Sequence, residues 1–158
     1  MSLRVWKCRA AFVAMLVAAI TSSHAATFVV TNTADHGPGS LREAIDMANV
    51  NGADDTITFS PTLAGGTITL TNGQLQLDES ATTLIITADG LPGGVTISGG
   101  RVTRVFEIFY GMTVVLDSLV VADGLDDYGS GILSEGNLTL RRCLITRNVA
   151  RHGSAGGL

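Results

Sequence analysis

The sequence contains a single lysine, Lys7, and it lies within residues 1–25. The formal net charge of the whole chain is −4, and it becomes −7 when the three cations of that segment, Arg4, Lys7 and Arg9, are left out. Nucleic acids and anionic membrane surfaces bind proteins through clustered positive charge. The composition therefore argues against nucleic acid and against an anionic membrane as partners.

Cysteine and long apolar runs are also scarce. The two cysteines are Cys8 and Cys143, and only Cys143 lies beyond residue 25. A lone cysteine cannot form an internal disulfide, so that part of the chain has to be stabilised by packing alone. The apolar stretch from Ala10 to Ile20 has eleven residues, whereas about 20 are needed to cross a bilayer core. We therefore predict no transmembrane segment.

The N-terminal segment, residues 1–25, has the layout of a secretory signal peptide. A basic start precedes the apolar stretch, and Ser23-His24-Ala25 supplies small residues at the two positions that matter for cleavage. We predict that residues 1–25 are a signal peptide, that 26–65 form an N-terminal cap, and that 66–158 form a repeat region. The predicted location is secreted or extracellular, including attachment to the bacterial outer surface.

Apolar positions of the second half of the chain recur at i and i+24. The aligned sets are Leu84, Ile108 and Ile132; Val95, Leu119 and Cys143; Ile97, Val121 and Ile145; Val114 and Leu138; and Leu116 and Leu140. Apolar residues alternate with polar ones within each repeat, which is typical of β-strands. Like residues at a constant offset predict short parallel strands that stack on their own copies, as in a solenoid.

The corners between strands repeat as well. Gly100, Gly124 and Asn148 share the i+24 spacing. Glycine and asparagine tolerate a positive φ better than other residues. We therefore expect one tight corner, repeated in the left-handed conformation.

Opposite charges recur at the same spacing. The pairs are Asp117 and Arg141, Asp123 and Arg147, and Asp127 and Arg151. In a stacked register each acid would lie beside an arginine of the next layer. Exposed ion pairs contribute only about 0 to 1 kcal/mol each, so we expect them to fix register more than stability.

One segment departs from the strand pattern. Ser40 and Glu43 have the spacing of a capping box, in which the serine hydroxyl accepts from the amide of Glu43 and the carboxylate accepts from the amide of Ser40. Apolar residues then follow at helical spacing: Leu41, Ala44, Ile45 and Ala48. These features predict a helix over about 41–50 that covers the first layer of strands.

Several stretches resemble a known family. "TFVVTNTADHGPGSLREAI", from Thr27 to Ile45, and the following "GADDTITF" resemble the N-terminal segment of bacterial exported right-handed parallel β-helix proteins with a "CSLREAI"-type motif. "RVFEI", from Arg104 to Ile108, and "LTLRRCLITRN", from Leu138 to Asn148, are similar to their coil repeats. Gly39 stands where many relatives have cysteine, so no bridge is inferred there.

The resemblance implies an all-β fold class, a right-handed parallel β-helix with a short N-terminal capping helix. It also implies a large exported surface protein with many more coils. The last residues, Gly156-Gly157-Leu158, are similar to the opening of another coil. We therefore expect a fragment, whose open final coil allows self-association.

No catalytic, cofactor-binding or metal-binding residue is predicted. Asp117, Asp123, Asp127 and Arg141 are weak candidate surface sites, because acids and arginines on an outer sheet could act on a glycosidic bond and clustered acids could bind Ca²⁺. The residues expected to carry the structure are Ser40, Glu43, Leu116, Leu119, Val121, Leu140, Cys143 and Ile145.

Two functions remain open from the sequence. The first is an exported scaffold or adhesin-like surface protein without a catalytic site in this segment, with glycans or cell-surface components as partners. The alternative is the N-terminal part of a carbohydrate-active β-helix enzyme, either a polysaccharide lyase or a glycoside hydrolase.

Overall fold

The computed structural model describes residues 24–78 and 83–152. Within these ranges strands make up about 41% of the residues, so the fold is β-rich, and the sheets are parallel. Residues 1–23 of the predicted signal peptide lie outside the described ranges, as do the residues at 156–158 that resemble the opening of a further coil. Among the described residues, no helix has the length and apolarity that a bilayer crossing requires.

Fourteen strands and one α-helix lie in the described part of the chain. In chain order they are β1 (Thr27–Val30), α1 (Leu41–Asn51), β2 (Asp55–Phe59), β3 (Thr67–Thr69), β4 (Leu75–Leu77), β5 (Thr83–Thr87), β6 (Val95–Ser98), β7 (Phe106–Ile108), β8 (Thr113–Asp117), β9 (Leu119–Ala122), β10 (Leu125–Asp126), β11 (Ile132–Ser134), β12 (Asn137–Arg141), β13 (Leu144–Thr146) and β14 (Val149–Ala150). A 3₁₀ turn, Pro61–Leu63, separates β2 from β3.

The chain visits the sheets in a regular rotation. The five-stranded sheet has the order β1-β2-β5-β8-β12, the four-stranded sheet β13-β9-β6-β3, the three-stranded sheet β11-β7-β4, and the two-stranded sheet β10-β14. From β2 onward the path runs from the five-stranded sheet to the four-stranded sheet, then to the three-stranded sheet, and back. Each strand therefore lies beside the strand that precedes it by one full rotation.

Aliphatic residues form inward rows across these sheets. One such row in the five-stranded sheet joins Ile57 to Ile86, Ile86 to Leu116, and Leu116 to Leu140. The first three are fully buried, and Leu140 packs against the same core. Burying one such side chain is worth roughly 1.5 to 3 kcal/mol, so these rows supply the main stabilising term.

The i+24 spacing is confirmed for the later strands. Val95 pairs with Leu119, Ile97 with Val121, Val121 with Ile145, Val114 with Leu138, and Leu116 with Leu140. Cys143 immediately precedes β13, is half-buried, and packs against the core. Its thiol donates to the carbonyl oxygen of Leu116 at 3.3 Å.

The predicted set of Leu84, Ile108 and Ile132 is wrong. Leu84 pairs with Val114, and Ile132 pairs with Phe106, two positions before Ile108. The stretch between β9 and β11 is two residues longer than the one between β6 and β7, and the stretch after β11 is two residues shorter than the one after β7. The longer connection before β11 therefore shifts the pairing offset away from 24 residues, and the shorter connection after β11 returns it to 24.

Earlier layers are longer because their corners are longer. The pairings that join two strands among β1 to β8 have larger offsets, as from Thr27 to Thr56 and from Leu75 to Phe106. The connection from β5 to β6 runs over 88–94, whereas Ser118 alone connects β8 to β9. Ser118 has a φ of 59°, so it turns the chain sharply and lies in a corner rather than in a strand.

Left-handed corner residues do recur, but partly at other positions than expected. Gly94, Ser118 and Arg142 follow the i+24 spacing and have φ values of 63°, 59° and 52°. Asp123 and Arg147 form a second such set, at 52° and 57°. The corner therefore repeats in conformation while its residue type changes.

The expected positive φ at Gly124 and Asn148 is wrong, although Gly100 has one, at 59°. Gly124 is glycine because a Cβ there would lie 1.9 Å from the carbonyl oxygen of Ser130. Asn148 accepts from the amide of Gly124 at 2.7 Å and donates to the carbonyl oxygen of Val121 at 3.1 Å. Close backbone approach at Gly124 and side-chain hydrogen bonding at Asn148 therefore explain why these residue types occur at this spacing.

Helix α1 is bounded by polar groups at its start and by a glycine at its end. The Ser40 hydroxyl accepts from the amide of Glu43 at 3.2 Å. The Glu43 carboxylate accepts from Gly39 at 2.6 Å and not from Ser40, whose own amide donates to the carbonyl oxygen of Gly37 at 3.1 Å. Gly52 ends the helix with a φ of 68°.

The buried face of α1 packs on the first strands. It consists of Leu41, Ala44, Ile45 and Ala48. These residues belong to the same core as the strand rows, and α1 contacts β1, β2 and β4. The helix thus covers the apolar end of the first layer.

Paired substitutions on β8 test the inward and outward sides of the strand. Leu116→Asp places a charge in the apolar core, and we expect a loss of more than about 4 kcal/mol in the free energy of unfolding. Thr113→Asp, between Thr83 and Asn137 on the outward side, is expected to lose less than about 1 kcal/mol. Urea unfolding of both variants measures the difference, and equal losses would contradict the assigned sides.

Candidate functional site

Arg104, two residues before β7, is the centre of a polar cluster. Only 7% of Arg104 is exposed. Its guanidinium donates to the carbonyl oxygens of Gly129 at 3.0 Å and Tyr128 at 2.9 Å, and to the side-chain oxygen of Gln74 at 2.8 Å. Because so many donors are satisfied, this buried charge is held in one position.

Two carboxylates complete the Arg104 cluster. Glu107 lies 3.6 Å and Asp126 lies 3.4 Å from the guanidinium nitrogens. Glu107 also accepts from the side-chain amides of Gln74 and Gln76. The cluster therefore joins β4, β7 and β10 through side chains.

Asp35 and Arg42 continue this network to the helix. Arg42 pairs with Asp35 at 2.8 Å and donates to the carbonyl oxygens of Gln74 at 2.8 Å and Gly73 at 2.7 Å. The other oxygen of Asp35 accepts from the backbone amide of Thr71 at 2.8 Å and from that of the next residue at 2.7 Å. Burial opposes ionisation of Asp35, but these hydrogen bonds outweigh it and lower its pKa.

Asp117 forms an ion pair, but with a different arginine from the one predicted. Arg142 binds both carboxylate oxygens, at 3.0 and 2.8 Å, and also reaches Asp89 at 3.0 Å. Arg141 is the backbone partner of Asp117 in the sheet, yet the positive φ of Arg142 turns that residue toward the acid instead. The hydrogen bonds from Arg142 lower the pKa of Asp117.

Asp123 pairs with Arg147, as its spacing predicts. Two hydrogen bonds join the side chains, at 3.0 and 2.9 Å, and Arg101 lies 3.5 Å away. Hydrogen bonding to Arg147 holds the pKa of Asp123 below its usual value. Together with Thr69 and Ser98, Arg101 and Asp123 line an open recess of about 320 Å³.

The third predicted pair, Asp127 with Arg151, is wrong. The Asp127 carboxylate lies 3.0 Å from Nδ1 of His152. Arg151 donates its backbone amide to the carbonyl oxygen of Asp126 at 2.9 Å. As at Asp117, the side-chain partner comes one residue later than the register suggests.

These contacts determine what the acids can do chemically. A general acid or base works best with a pKa near the working pH, whereas Asp117 and Asp123 both have lowered pKa values. An arginine also engages each carboxylate with two hydrogen bonds, and all of β9 lies between the two acids in the chain. The arrangement therefore suits ion pairing between layers better than catalysis of hydrolysis.

Metal ligands do not converge in the described residues. No group of three or more histidine, cysteine, aspartate or glutamate side chains there is placed to share an ion. Asp123 lies beside Arg147, Asp126 beside Arg104, and Asp127 beside His152 instead. The three acids that the sequence brings together are therefore separated by their partners.

A set of polar and aromatic side chains belongs to the three-stranded sheet and its connections, and we call this set the polar strip. We define it by Gln76 on β4, Glu107 on β7, and the exposed tyrosines Tyr110 and Tyr128. Tyr110 follows β7 and is 83% exposed, whereas Tyr128 precedes β11 and is 60% exposed. Tyrosine combines an apolar face with a polar tip, which suits contact with partly polar ligands.

Sequence reasoning missed Arg104, Asp35 and the polar strip. "RVFEI" contained the clue for Arg104 and Glu107, since two charges there enclose two buried apolar residues. Asp35 has no partner at the repeat spacing, because backbone amides that donate to it belong to a distant loop that contains Thr71. The weak candidates Asp117 and Asp123 lie in separate ion pairs with arginines. Asp127 contacts His152.

The sequence matches no protein-family model and no curated protein significantly.

The Asp35 network predicts acid sensitivity. A carboxylate whose folded-state pKa lies below its unfolded value of about 3.8 adds stability above that value and loses it as pH falls through the folded pKa. We expect Asp35→Asn to lower the free energy of unfolding at pH 7 and to flatten its decline below about pH 4. Urea unfolding from pH 7 to 2 measures this, with Asp46→Asn, at an exposed position of α1, as the control.

A decline below pH 4 as steep in Asp35→Asn as in the unmodified protein would contradict this role for Asp35.

Proposed function

We propose that the chain winds as a right-handed parallel β-helix and serves as an exported scaffold or adhesin-like surface protein, without a catalytic site in this segment. The regular rotation through parallel sheets supports the winding. Connections between parallel strands are right-handed in about 98% of cases, which supports the hand. The layout of residues 1–25 supports export.

The observation that best supports the scaffold function is that acidic side chains link one layer of strands to the next. Asp117, Asp123 and Asp127 each contact a cationic or histidine side chain from a later layer. Charges engaged in this way hold register, and they leave repeated outward strand faces as the surface for a partner.

The polar strip is the part of that surface that suits a glycan. Sugar rings present both apolar faces and hydroxyls. Glu107 and Gln76 supply a carboxylate and an amide on the sheet, and Tyr110 and Tyr128 supply exposed rings in the connections after β7 and before β11. The net charge of −7 beyond residue 25 disfavours polyanions. Neutral cell-surface polysaccharides are therefore the proposed partner class.

The exported protein is tested against a panel of neutral bacterial polysaccharides and intact cells. We expect retention without release of reducing ends or unsaturated products. Loss of both rings in Tyr110→Ala with Tyr128→Ala removes two contacts of about 0.5 to 1.5 kcal/mol each, so binding should weaken by about 5- to 150-fold. Val50→Ala, at an equally exposed position of α1, is the matched control.

Unchanged binding by the double tyrosine variant would contradict the polar strip as the binding surface. Retention of none of the polysaccharides or cells would contradict the scaffold function.

The second candidate function is a carbohydrate-active enzyme, and the recess beside Asp123 is the observation that favours it. An acid and Arg101 meet there in a depression of about 320 Å³. Release of products that is abolished in Asp123→Asn and kept in Asp127→Asn would establish the enzyme and overturn the scaffold.

A further inference from the structure

Asp55 occupies a position that the sheet otherwise gives to aliphatic residues. It is paired with Leu84, Leu84 with Val114, and Val114 with Leu138 along one inward row. Only 3% of Asp55 is exposed. A buried carboxylate is costly unless its oxygens are hydrogen-bonded or paired with a cation, so this residue requires a specific explanation.

The two oxygens of Asp55 differ in their surroundings. Oδ1 accepts from the backbone nitrogen of Ala26 at 2.7 Å and from Nδ2 of Asn51 at 2.7 Å. Oδ2 is buried and accepts no hydrogen bond from any residue in the described ranges. Unsatisfied buried polar atoms are rare in folded proteins, and here the unsatisfied atom is half of a carboxylate.

The nitrogen at Ala26 is the atom that signal-peptide removal would change. As a peptide nitrogen it has one N–H, and Oδ1 takes it. Hydrolysis after Ala25 adds water across the peptide bond, leaving a carboxylate on Ala25 and an amine on Ala26, which takes up a proton at neutral pH. The resulting ammonium group has three N–H donors and a positive charge.

The rest of Ala26 is already fixed beside the acid. Its carbonyl oxygen accepts from the amide of Thr56 at 2.9 Å, and β1 begins at the next residue. His24 and Ala25 are exposed, whereas Ala26 is half-buried. Removal of the residues before Ala26 therefore leaves its nitrogen at Asp55.

We propose that Asp55 is a receptor site for the α-ammonium group that export creates at Ala26. The ammonium supplies the missing donor for Oδ2 and the counter-charge for the buried carboxylate. Mature protein is thereby more stable than its precursor, so the final fold is completed by the cleavage. This inference rests on the proposed export, because export supplies the new terminus.

The test uses protein exported with its own leader. N-terminal sequencing is expected to begin at Ala26. The pKa of the α-amino group, followed by ¹⁵N chemical shift, is expected above about 9 instead of the ordinary ~7.7 to 8.0. In Asp55→Asn it should return to the ordinary range, whereas Asp54→Asn should leave it raised, because Asp54 is exposed and its amide analogue can still accept from Thr83.

Stability against pH gives an independent readout. A raised α-amino pKa adds stability below the unfolded value and loses it as pH rises through the folded value. The urea midpoint of the exported protein should therefore fall above about pH 9. Acetylation of Ala26 should lower the midpoint at pH 7 and abolish this fall, and this needs no folded Asp55 variant.

The possible failures are distinguishable. An α-amino group that titrates in the ordinary range on a chain beginning at Ala26 overturns the receptor site and leaves the scaffold function standing. A chain that begins at another residue overturns the predicted cleavage, and the receptor site with it.

Discussion

Parallel pairing in register is the constraint on which the structure depends. Each strand lies beside the strand one rotation earlier, so each inward side chain is covered by a side chain from the next layer. Val121, for example, lies between Ile97 and Ile145. A shift by one residue would turn every inward side chain outward, so the sequence has to specify register repeatedly.

Charged side chains that lie outside the apolar core help to specify the register. Arg142 and Arg147 bind acids of the preceding layer with two hydrogen bonds each. Arg104, from a buried position, contacts residues of β7 and β10 and the residue just before β4. Such geometry discriminates between registers even where the net energy of an exposed pair is small. The same pairing lowers the pKa values of Asp117 and Asp123, so the acids that hold the register are less suited to acid–base catalysis.

The strand pattern could be predicted from sequence where the corners keep their length. The 24-residue recurrence of apolar residues predicted the pairing of Leu116 with Leu140, and charge spacing predicted the ion pair of Asp123 with Arg147. The constant offset failed at Ile108, because corner length varies independently of strand pattern. The inward position of Asp55 could not be predicted from the sequence. Two consecutive acids close after a glycine are typical of a turn, and only the sheet register places Asp55 on the inward side.

The most direct test of the stacked register is a methyl NOE measurement on protein labelled at isoleucine and valine methyl groups. The account predicts cross-peaks from Val121 to Ile97 and from Val121 to Ile145, with none between Ile97 and Ile145, because Val121 separates them. A direct Ile97–Ile145 contact, or a Val121 that contacts neither, would contradict it.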